Sequence, residues 1–130
     1  VVATNAYLGG LVPQLAPYIM PINNFLVATA PLPASLVPAI LPRGTCAHDT
    51  LFVLNYFRRS ADGRLVFGGG ENYRRAFPAD IRGFVRPYLE RVFPQLAGVA
   101  IDHAWGGTLA ITMSRLPHVG RLSPSVYFAH

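Results

Sequence analysis

The residues of this chain that could do chemistry do not combine into a catalytic or metal-binding pattern. No two of its four histidines stand three or four residues apart, the spacing that puts two ligands on one face of a helix. Cys46 is the only cysteine, so it cannot begin a zinc knuckle. None of the serines lies in a Gly-x-Ser-x-Gly elbow. The sequence therefore predicts no metal site and identifies no catalytic acid, base or nucleophile.

Two glycine-rich segments are better candidates for contact with a ligand. Gly68-Gly69-Gly70 lacks the Gly-x-Gly-x-x-Gly spacing of a dinucleotide loop, and we interpret it as a strand end where side chains would clash. Trp105-Gly106-Gly107-Thr108 places two glycines after an aromatic residue in a strand-like segment. Such a pair indicates either a β-bulge or the close approach of the backbone to a flat ligand ring, and both interpretations stay open.

Arginine gives the chain its positive charge. The sequence has 11 basic and 6 acidic residues, for a net charge of +5. The segments Tyr56-Phe57-Arg58-Arg59 and Tyr73-Arg74-Arg75 interleave aromatic and basic side chains, as single-strand nucleic-acid binders do. Alternation along a half-buried strand, with Tyr56 and Arg58 on one face, explains the first segment better. A non-catalytic basic binding domain is retained as the alternative function of another class.

The first third of the chain is uncharged but is not predicted to span a membrane. Residues 1–42 contain no Asp, Glu, Lys or Arg, yet prolines recur through them at positions where each would interrupt a helix. With 130 residues the chain has the length of one ordinary domain. The lone cysteine excludes an intrachain disulfide and indicates an intracellular, cytoplasmic protein.

The elements that must position these residues are strands, with one helix. The clearest signal is a hairpin, with arms at 51–60 and 64–68 around the turn residues Ala61-Asp62-Gly63. Apolar residues at helical spacing predict an amphipathic helix from Ile81 to Phe93, which Pro87 should kink or break. A connector with one short helical turn is predicted at 31–42. Further strands are predicted at 1–4, 21–29, 99–105, 109–115 and 126–129. The fold class is α+β, a largely antiparallel or mixed sheet with one main amphipathic helix.

Taken in order, these pieces resemble the D-amino-acid-oxidase-like (DAO) family of FAD-dependent oxidoreductases, and within it the gamma-glutamylputrescine oxidase type of amine oxidase. Val1-Val2-Ala3-Thr4-Asn5-Ala6-Tyr7 is similar to the family strand that ends in Ala-Thr-Gly-Ala-Trp, with Asn5 in place of the glycine. The resemblance continues through the hairpin, Trp105 to Thr108, Arg115-Leu116-Pro117-His118-Val119-Gly120-Arg121 and Val126-Tyr127-Phe128-Ala129-His130.

The resemblance also implies a division of the chain. Residues 20–115 would be part of the substrate domain, and residues 1–8 and 117–130 would be edges of the FAD-binding domain. The family's Gly-x-Gly-x-x-Gly segment, which seats the pyrophosphate at a helix N-terminus, is absent from the sequence. We therefore interpret residues 1–130 as an internal fragment of one FAD-dependent oxidoreductase domain, which alone is expected to bind FAD weakly or not at all and to be inactive.

The activity implied by the resemblance is oxidation of a C–N bond in an amine resembling gamma-glutamylputrescine. Hydride leaves the carbon beside the nitrogen, the imine hydrolyses to an aldehyde, and reduced flavin passes electrons to oxygen, giving hydrogen peroxide. A small-molecule amine and oxygen are the expected partners, with neither nucleic acid nor a membrane. The implied cofactor contacts are Ala3, Thr4, Asn5, Ala6, Trp105, Gly106 and Gly107. The implied substrate contacts are Tyr56, Arg58, Thr108 and Leu109.

Two departures from related enzymes refine this expectation. Relatives acting on amino acids carry an arginine for the substrate carboxylate where this chain has Leu109, and leucine offers no fork of donors. An amine substrate is therefore favoured, and a sarcosine, glycine or D-amino-acid oxidase is the alternative within the enzyme class. Sarcosine-oxidase relatives link flavin to a cysteine in this region, whereas Gly107 and Thr108 have no thiol. FAD is therefore expected to bind non-covalently.

Overall fold

Strands form most of the regular structure, and the computed structural model describes every residue from 1 to 130. Seven strands and one α-helix follow one another along the chain. Their bounds are β1 Ile19–Thr29, β2 Ala47–His48, β3 Tyr56–Arg59, β4 Leu65–Asn72, α1 Ile81–Val92, β5 Ile101–Thr112, β6 Val119–Ser123 and β7 Val126–Ala129. Short 3₁₀ helices occupy Pro13–Tyr18, Val37–Ala39 and Pro94–Leu96. None of the helices is both long enough and apolar enough to cross a membrane.

A five-stranded sheet in the order β2-β3-β4-β1-β5 is the larger of two sheets. The β3–β4 hairpin is antiparallel, with Tyr56 opposite Gly68 and Arg59 opposite Leu65. Strands β6 and β7 form the second sheet, which is also antiparallel. The predicted α+β class with one main helix is thus confirmed.

The chain divides into two compact units, and each is described here by itself. The central unit comprises Asn24–Gly106, and the terminal unit comprises Val1–Asn23 with Gly107–His130. The boundaries fall inside β1 and inside β5, so each of these strands contributes residues to both units.

The core of the central unit lies between the sheet and α1. Asp80 caps this helix, because its Oδ1 accepts the backbone N–H of Gly83 at 3.0 Å. The apolar stripe of the helix then packs against the side chains that β1, β3 and β4 direct to the same side. Burying each large apolar side chain contributes about 1.5–3 kcal/mol. The buried members of this core are Phe25, Val27, Leu32, Ile40, Leu65, Phe67, Val85, Leu89, Phe93, Leu96 and Ile101.

A smaller apolar cluster holds the terminal unit together. Leu8, Leu15 and Phe128 are buried in it, with Val2 and Leu122 packed at its edge. Val2 also forms an isolated parallel bridge with Phe128, which ties the N-terminus to β7.

Several predicted element boundaries are wrong. Residues 1–4 form a single bridge rather than a strand, and β6 was not predicted at all. The segments predicted as two strands on either side of Gly106-Gly107 form one continuous strand, β5, which ends at Thr112. Helix α1 continues through Pro87, so the predicted break does not occur.

The first predicted hairpin arm is also too long, since β3 begins only at Tyr56. The Asp49 carboxylate accepts the backbone N–H groups of Leu51 and Asn55 at 3.1 and 3.0 Å. These N–H groups therefore have acceptors without pairing to another strand. The segment before β3 folds as a loop for this reason.

Candidate functional site

The residues predicted to bind cofactor and substrate fall in both units. Tyr56, Arg58, Trp105 and Gly106 belong to the central unit. Ala3, Thr4, Asn5, Ala6, Gly107, Thr108 and Leu109 belong to the terminal unit. Within each unit the structure shows which of them come together.

The N-terminal turn contacts the strand segment that follows Gly107. Asn5 Oδ1 accepts the backbone N–H of Ala110 at 2.6 Å, and the Tyr7 hydroxyl accepts the backbone N–H of Thr108 at 3.1 Å. Asn5 has a φ of 51°, a left-handed conformation that asparagine tolerates better than most residues. The sequence assigned Asn5 to the cofactor and Thr108 to the substrate and did not predict these contacts between the N-terminal turn and β5.

Tyr7 and Asn23 are contacts that the sequence did not identify. The Thr108 hydroxyl donates to Asn23 Oδ1 at 2.8 Å, and Asn23 is buried. The hydrogen bond from the Thr108 backbone lowers the pKa of Tyr7, because it stabilises the charged phenolate oxygen. The only sequence signal for Tyr7 is its place at the end of the Ala-Thr-Asn-Ala-Tyr segment.

The backbone of the N-terminal turn has free donors that fit a polar cofactor. The N–H groups of Ala3, Thr4, Asn5 and Ala6 donate to no protein acceptor. Thr4 Oγ1 is buried and has no hydrogen-bond partner either. Consecutive free amide donors suit the carbonyl and phosphate oxygens of a dinucleotide. The residues present in this turn therefore fit FAD.

The two glycines of β5 have different surroundings. A Cβ on Gly106 would lie 2.7 Å from Cδ1 of Phe25, a core residue, and 3.1 Å from Cε2 of Phe77. A Cβ on Gly107 would meet no atom within 4 Å. Packing against Phe25 thus explains Gly106 without a ligand, whereas nothing in the protein requires residue 107 to be glycine.

The sheet of the central unit has one face turned away from α1, which we call the open face. Phe57 packs against the helix-side core. Strand alternation therefore directs its neighbours Tyr56 and Arg58 to the open face, as the sequence predicted. Ala104 also packs against that core and Gly106 faces Phe25, so Trp105 points to the open face as well. Trp105 is 43% exposed.

Tyr56 is held on the open face by two contacts. Its hydroxyl donates to Asn24 Oδ1, and its ring lies directly over the backbone of Gly68. Burial raises the pKa of Tyr56, which keeps the hydroxyl protonated and able to donate. Arg58 is exposed, and its guanidinium has no carboxylate partner. The open face thus combines aromatic surface, a fixed hydroxyl and one cation.

Metal-ligating side chains and the single cysteine are the other groups that could do chemistry. No group of three or more His, Cys, Asp and Glu side chains is placed to hold a metal ion. Cys46 is exposed and unpaired.

Comparison with known proteins shows the family of this chain and some of its relatives. The family described as DAO, FAD dependent oxidoreductase, matches residues 1–130. The chain is 45% identical to a probable oxidoreductase OrdL of Rhizobium meliloti (strain 1021) over 96% of its length. It is 41% identical to the gamma-glutamylputrescine oxidoreductase of Escherichia coli (strain K12) over 98% of its length. It spans only 29% and 30% of these two relatives.

Solved structures share the fold. L-proline dehydrogenase from P. horikoshii superposes with a TM-score of 0.63 at 22% identity, covering 99% of this chain and 36% of that protein. Glycine oxidase from Geobacillus kaustophilus superposes with a TM-score of 0.61 at 16% identity, covering 86% of this chain and 29% of that protein. The chain belongs to the DAO family of FAD-dependent oxidoreductases.

Proposed function

We propose that this chain forms part of a FAD-dependent amine oxidase that acts on CH–NH or CH–NH₂ donors resembling gamma-glutamylputrescine. The observation that carries the proposal is Leu109, an apolar side chain that is 40% exposed on β5. The resemblance places an arginine at this position in enzymes that bind the carboxylate of an amino acid. A leucine has no N–H groups with which to bind a carboxylate, as the arginine guanidinium does. The 41% identity with a gamma-glutamylputrescine oxidoreductase supports the same choice.

FAD would be held by the free backbone donors of Ala3 to Ala6 and by the open backbone at Gly107. When bound, it supplies the two-electron chemistry in which the amine becomes an imine, water hydrolyses the imine, and oxygen becomes hydrogen peroxide. Trp105, on the open face, would shape the surface that faces the ring, whereas packing against Phe25 already accounts for Gly106. Because neither Gly107 nor Thr108 has a thiol, we propose that the cofactor binds non-covalently.

Each unit has proposed substrate contacts of its own. Tyr56, fixed by Asn24 and by its contact with Gly68, presents an aromatic ring. Arg58 adds a cation that repels the ammonium end of the substrate and attracts an anionic group at the other end. Thr108 and Leu109 would complete the contacts. No side chain is required to act as an acid or a base.

The test uses the full-length protein that carries this chain. Peroxide formation is measured with gamma-glutamylputrescine, putrescine, sarcosine, glycine and D-alanine. We expect the first two amines, which have no carboxylate beside the reacting carbon, to compete best. Preference for sarcosine, glycine or D-alanine would favour the amino-acid oxidase alternative, and absence of peroxide with all five would contradict the proposal. Acid precipitation should leave the flavin in the supernatant if it is non-covalent.

A pair of variants at Leu109 sharpens this test. Leu109→Arg restores a guanidinium and should raise the relative turnover of the carboxylated substrates. Leu109→Met changes shape but adds no charge, so it should leave the substrate preference unchanged. If both variants change the preference equally, side-chain size rather than the missing guanidinium controls it.

The domain assignment and the location of the protein are parts of the same proposal. We propose that residues 20–115 belong to the substrate domain and that residues 1–8 and 117–130 are edges of the FAD-binding domain. The free, exposed thiol of Cys46 is compatible with a reducing compartment, and we propose a cytoplasmic enzyme.

A further inference from the structure

The edge of β5 in the terminal unit is held by two side chains from the N-terminal turn. Strand β5 lies at the edge of the five-stranded sheet. Asn5 accepts the N–H of Ala110 at 2.6 Å, and Tyr7 accepts the N–H of Thr108 at 3.1 Å. Residues 108 and 110 are alternate positions of the strand, whose N–H groups point the same way. The side chains of residues 5 and 7 thus accept hydrogen bonds from two successive N–H groups on this edge of the strand.

These contacts depend on the residue types that this chain has at positions 5 and 7. The related family segment has glycine and tryptophan there. Glycine has no side chain, and the indole nitrogen of tryptophan only donates. Neither could accept a backbone N–H, so the two contacts depend on the asparagine and tyrosine that this chain has there.

The segment is also held through the side chain of Thr108. Its hydroxyl donates to Asn23 Oδ1 at 2.8 Å, and Asn23 is only 3% exposed. Thr108 is therefore bonded through its backbone to Tyr7 and through its side chain to a buried amide. Three hydrogen bonds to residues far away in sequence fix the two residues on either side of Leu109.

We propose that Asn5 and Tyr7 are positioning residues for the proposed amine oxidation. They hold the backbone of residues 108–110, and thereby Thr108 and Leu109, in the position in which these residues contact substrate. This inference rests on the proposed function, because the substrate contacts are part of that proposal. The hydrogen bonds themselves can be tested without it.

The first measurement is amide hydrogen exchange in the full-length protein. Tyr7→Phe removes only the accepting hydroxyl, and Asn5→Gly removes the acceptor while allowing a φ of 51°. We expect exchange at Thr108 in the first variant, and at Ala110 in the second, to become about fivefold faster, the factor for loss of one neutral hydrogen bond. Asn5→Asp keeps an acceptor and tolerates the same backbone, so it should restore slow exchange at Ala110. Unchanged exchange in both loss variants would overturn the inference.

The second measurement separates positioning from simple stabilisation. Kinetic constants for the best amine are determined per bound flavin, which removes the effect of partial unfolding. We expect kcat/KM to fall about fivefold in Tyr7→Phe and in Asn5→Gly, mainly through a higher KM, because the displaced residues contact the bound substrate. Tyr127→Phe is the matched control, since the exposed Tyr127 hydroxyl makes no hydrogen bond in the structure. This variant should match the wild type.

The outcomes distinguish this inference from the proposed function. Faster exchange with an unchanged KM per bound flavin would show a stabilising role only and would overturn positioning. If the wild type oxidises no amine, the proposed function fails and the positioning role fails with it, while the exchange data still establish whether the hydrogen bonds exist. Faster exchange together with a raised KM, rescued by Asn5→Asp, would support the inference.

Discussion

Alanine substitutions at the adjacent glycines of β5 should have different effects. In Gly106→Ala the new methyl group would lie 2.7 Å from Phe25 Cδ1 and 3.1 Å from Phe77 Cε2. Phe77 is 40% exposed and can move, but Phe25 is fully buried and cannot move without disturbing the core. Overpacking of this kind costs about 1–3 kcal/mol. We therefore expect Gly106→Ala to lower the free energy of unfolding by an amount in this range.

The same change at Gly107 meets no protein atom within 4 Å, and its φ is not in the left-handed region. Its effect on stability should stay within about 0.5 kcal/mol, as for most surface substitutions. If the open space at Gly107 receives the cofactor, Gly107→Ala should instead reduce the flavin retained through purification of the full-length protein.

Urea unfolding and flavin content, measured on both variants, provide the assay. A Phe25→Leu background is the control for Gly106→Ala, because the smaller side chain leaves room for the methyl group and should remove most of the cost. If Gly106→Ala and Gly107→Ala lower the free energy of unfolding equally, the argument from packing against Phe25 is refuted. Unchanged flavin content in Gly107→Ala would refute the proposed cofactor contact at this residue.

Three further predictions concern the elements that support the site. Gly68→Ala should push the Tyr56 ring away and break its bond to Asn24, at a cost of about 2–4 kcal/mol from overpacking and the lost hydrogen bond; in a Tyr56→Ala background the change in urea midpoint should nearly vanish. Asp80→Ala removes the cap of α1 and should cost about 1 kcal/mol by thermal unfolding, whereas Asp80→Asn should cost much less. The Gly98 N–H, aided by the Arg86 guanidinium, lowers the pKa of Glu90. The stability that Glu90 contributes should therefore be complete above the ordinary glutamate pKa and be lost as pH falls through the lower folded-state value. Glu90→Gln should flatten that part of the stability profile, and an unchanged profile would contradict the assignment.

Elements with strong local signals could be predicted from the sequence. The β3–β4 hairpin has its turn residues at 61–63, and α1 has an amphipathic period and an acidic cap. Strand β6 was missed because its pairing depends on β7, where the Phe128 ring lies against Gly120. The loop before β3 was misread as strand because its composition is β-like, while the Asp49 carboxylate determines its conformation.

The site could be predicted in part, for a similar reason. Strand alternation correctly placed Tyr56 and Arg58 on one face, because alternation is a local property of the chain. The bonds from Asn5 and Tyr7 to β5 join residues about a hundred positions apart. No local pattern encodes such a contact, so Tyr7 could be identified only after the chain had been folded.

The distribution of arginine contacts bears on the alternative function, a basic binding domain. Arg64 bonds to Asp62, Asp102 and the Thr29 carbonyl, and Arg86 bonds to Glu90 and the Val99 carbonyl. Arg58, Arg59 and Arg82 each donate from the guanidinium to a backbone carbonyl. Arg74 and Arg115 also have partners within the protein.

Five of the eleven basic side chains therefore already bond to acceptors within the protein. A polyanion binds through cations that are free to replace its counterions, and the salt dependence of binding scales with their number. The number of cations free to bind a nucleic acid is consequently smaller than the eleven basic residues of the sequence. Arg58 is exposed on the open face two residues from Tyr56, and a single cation there would replace the counterion of only one phosphate.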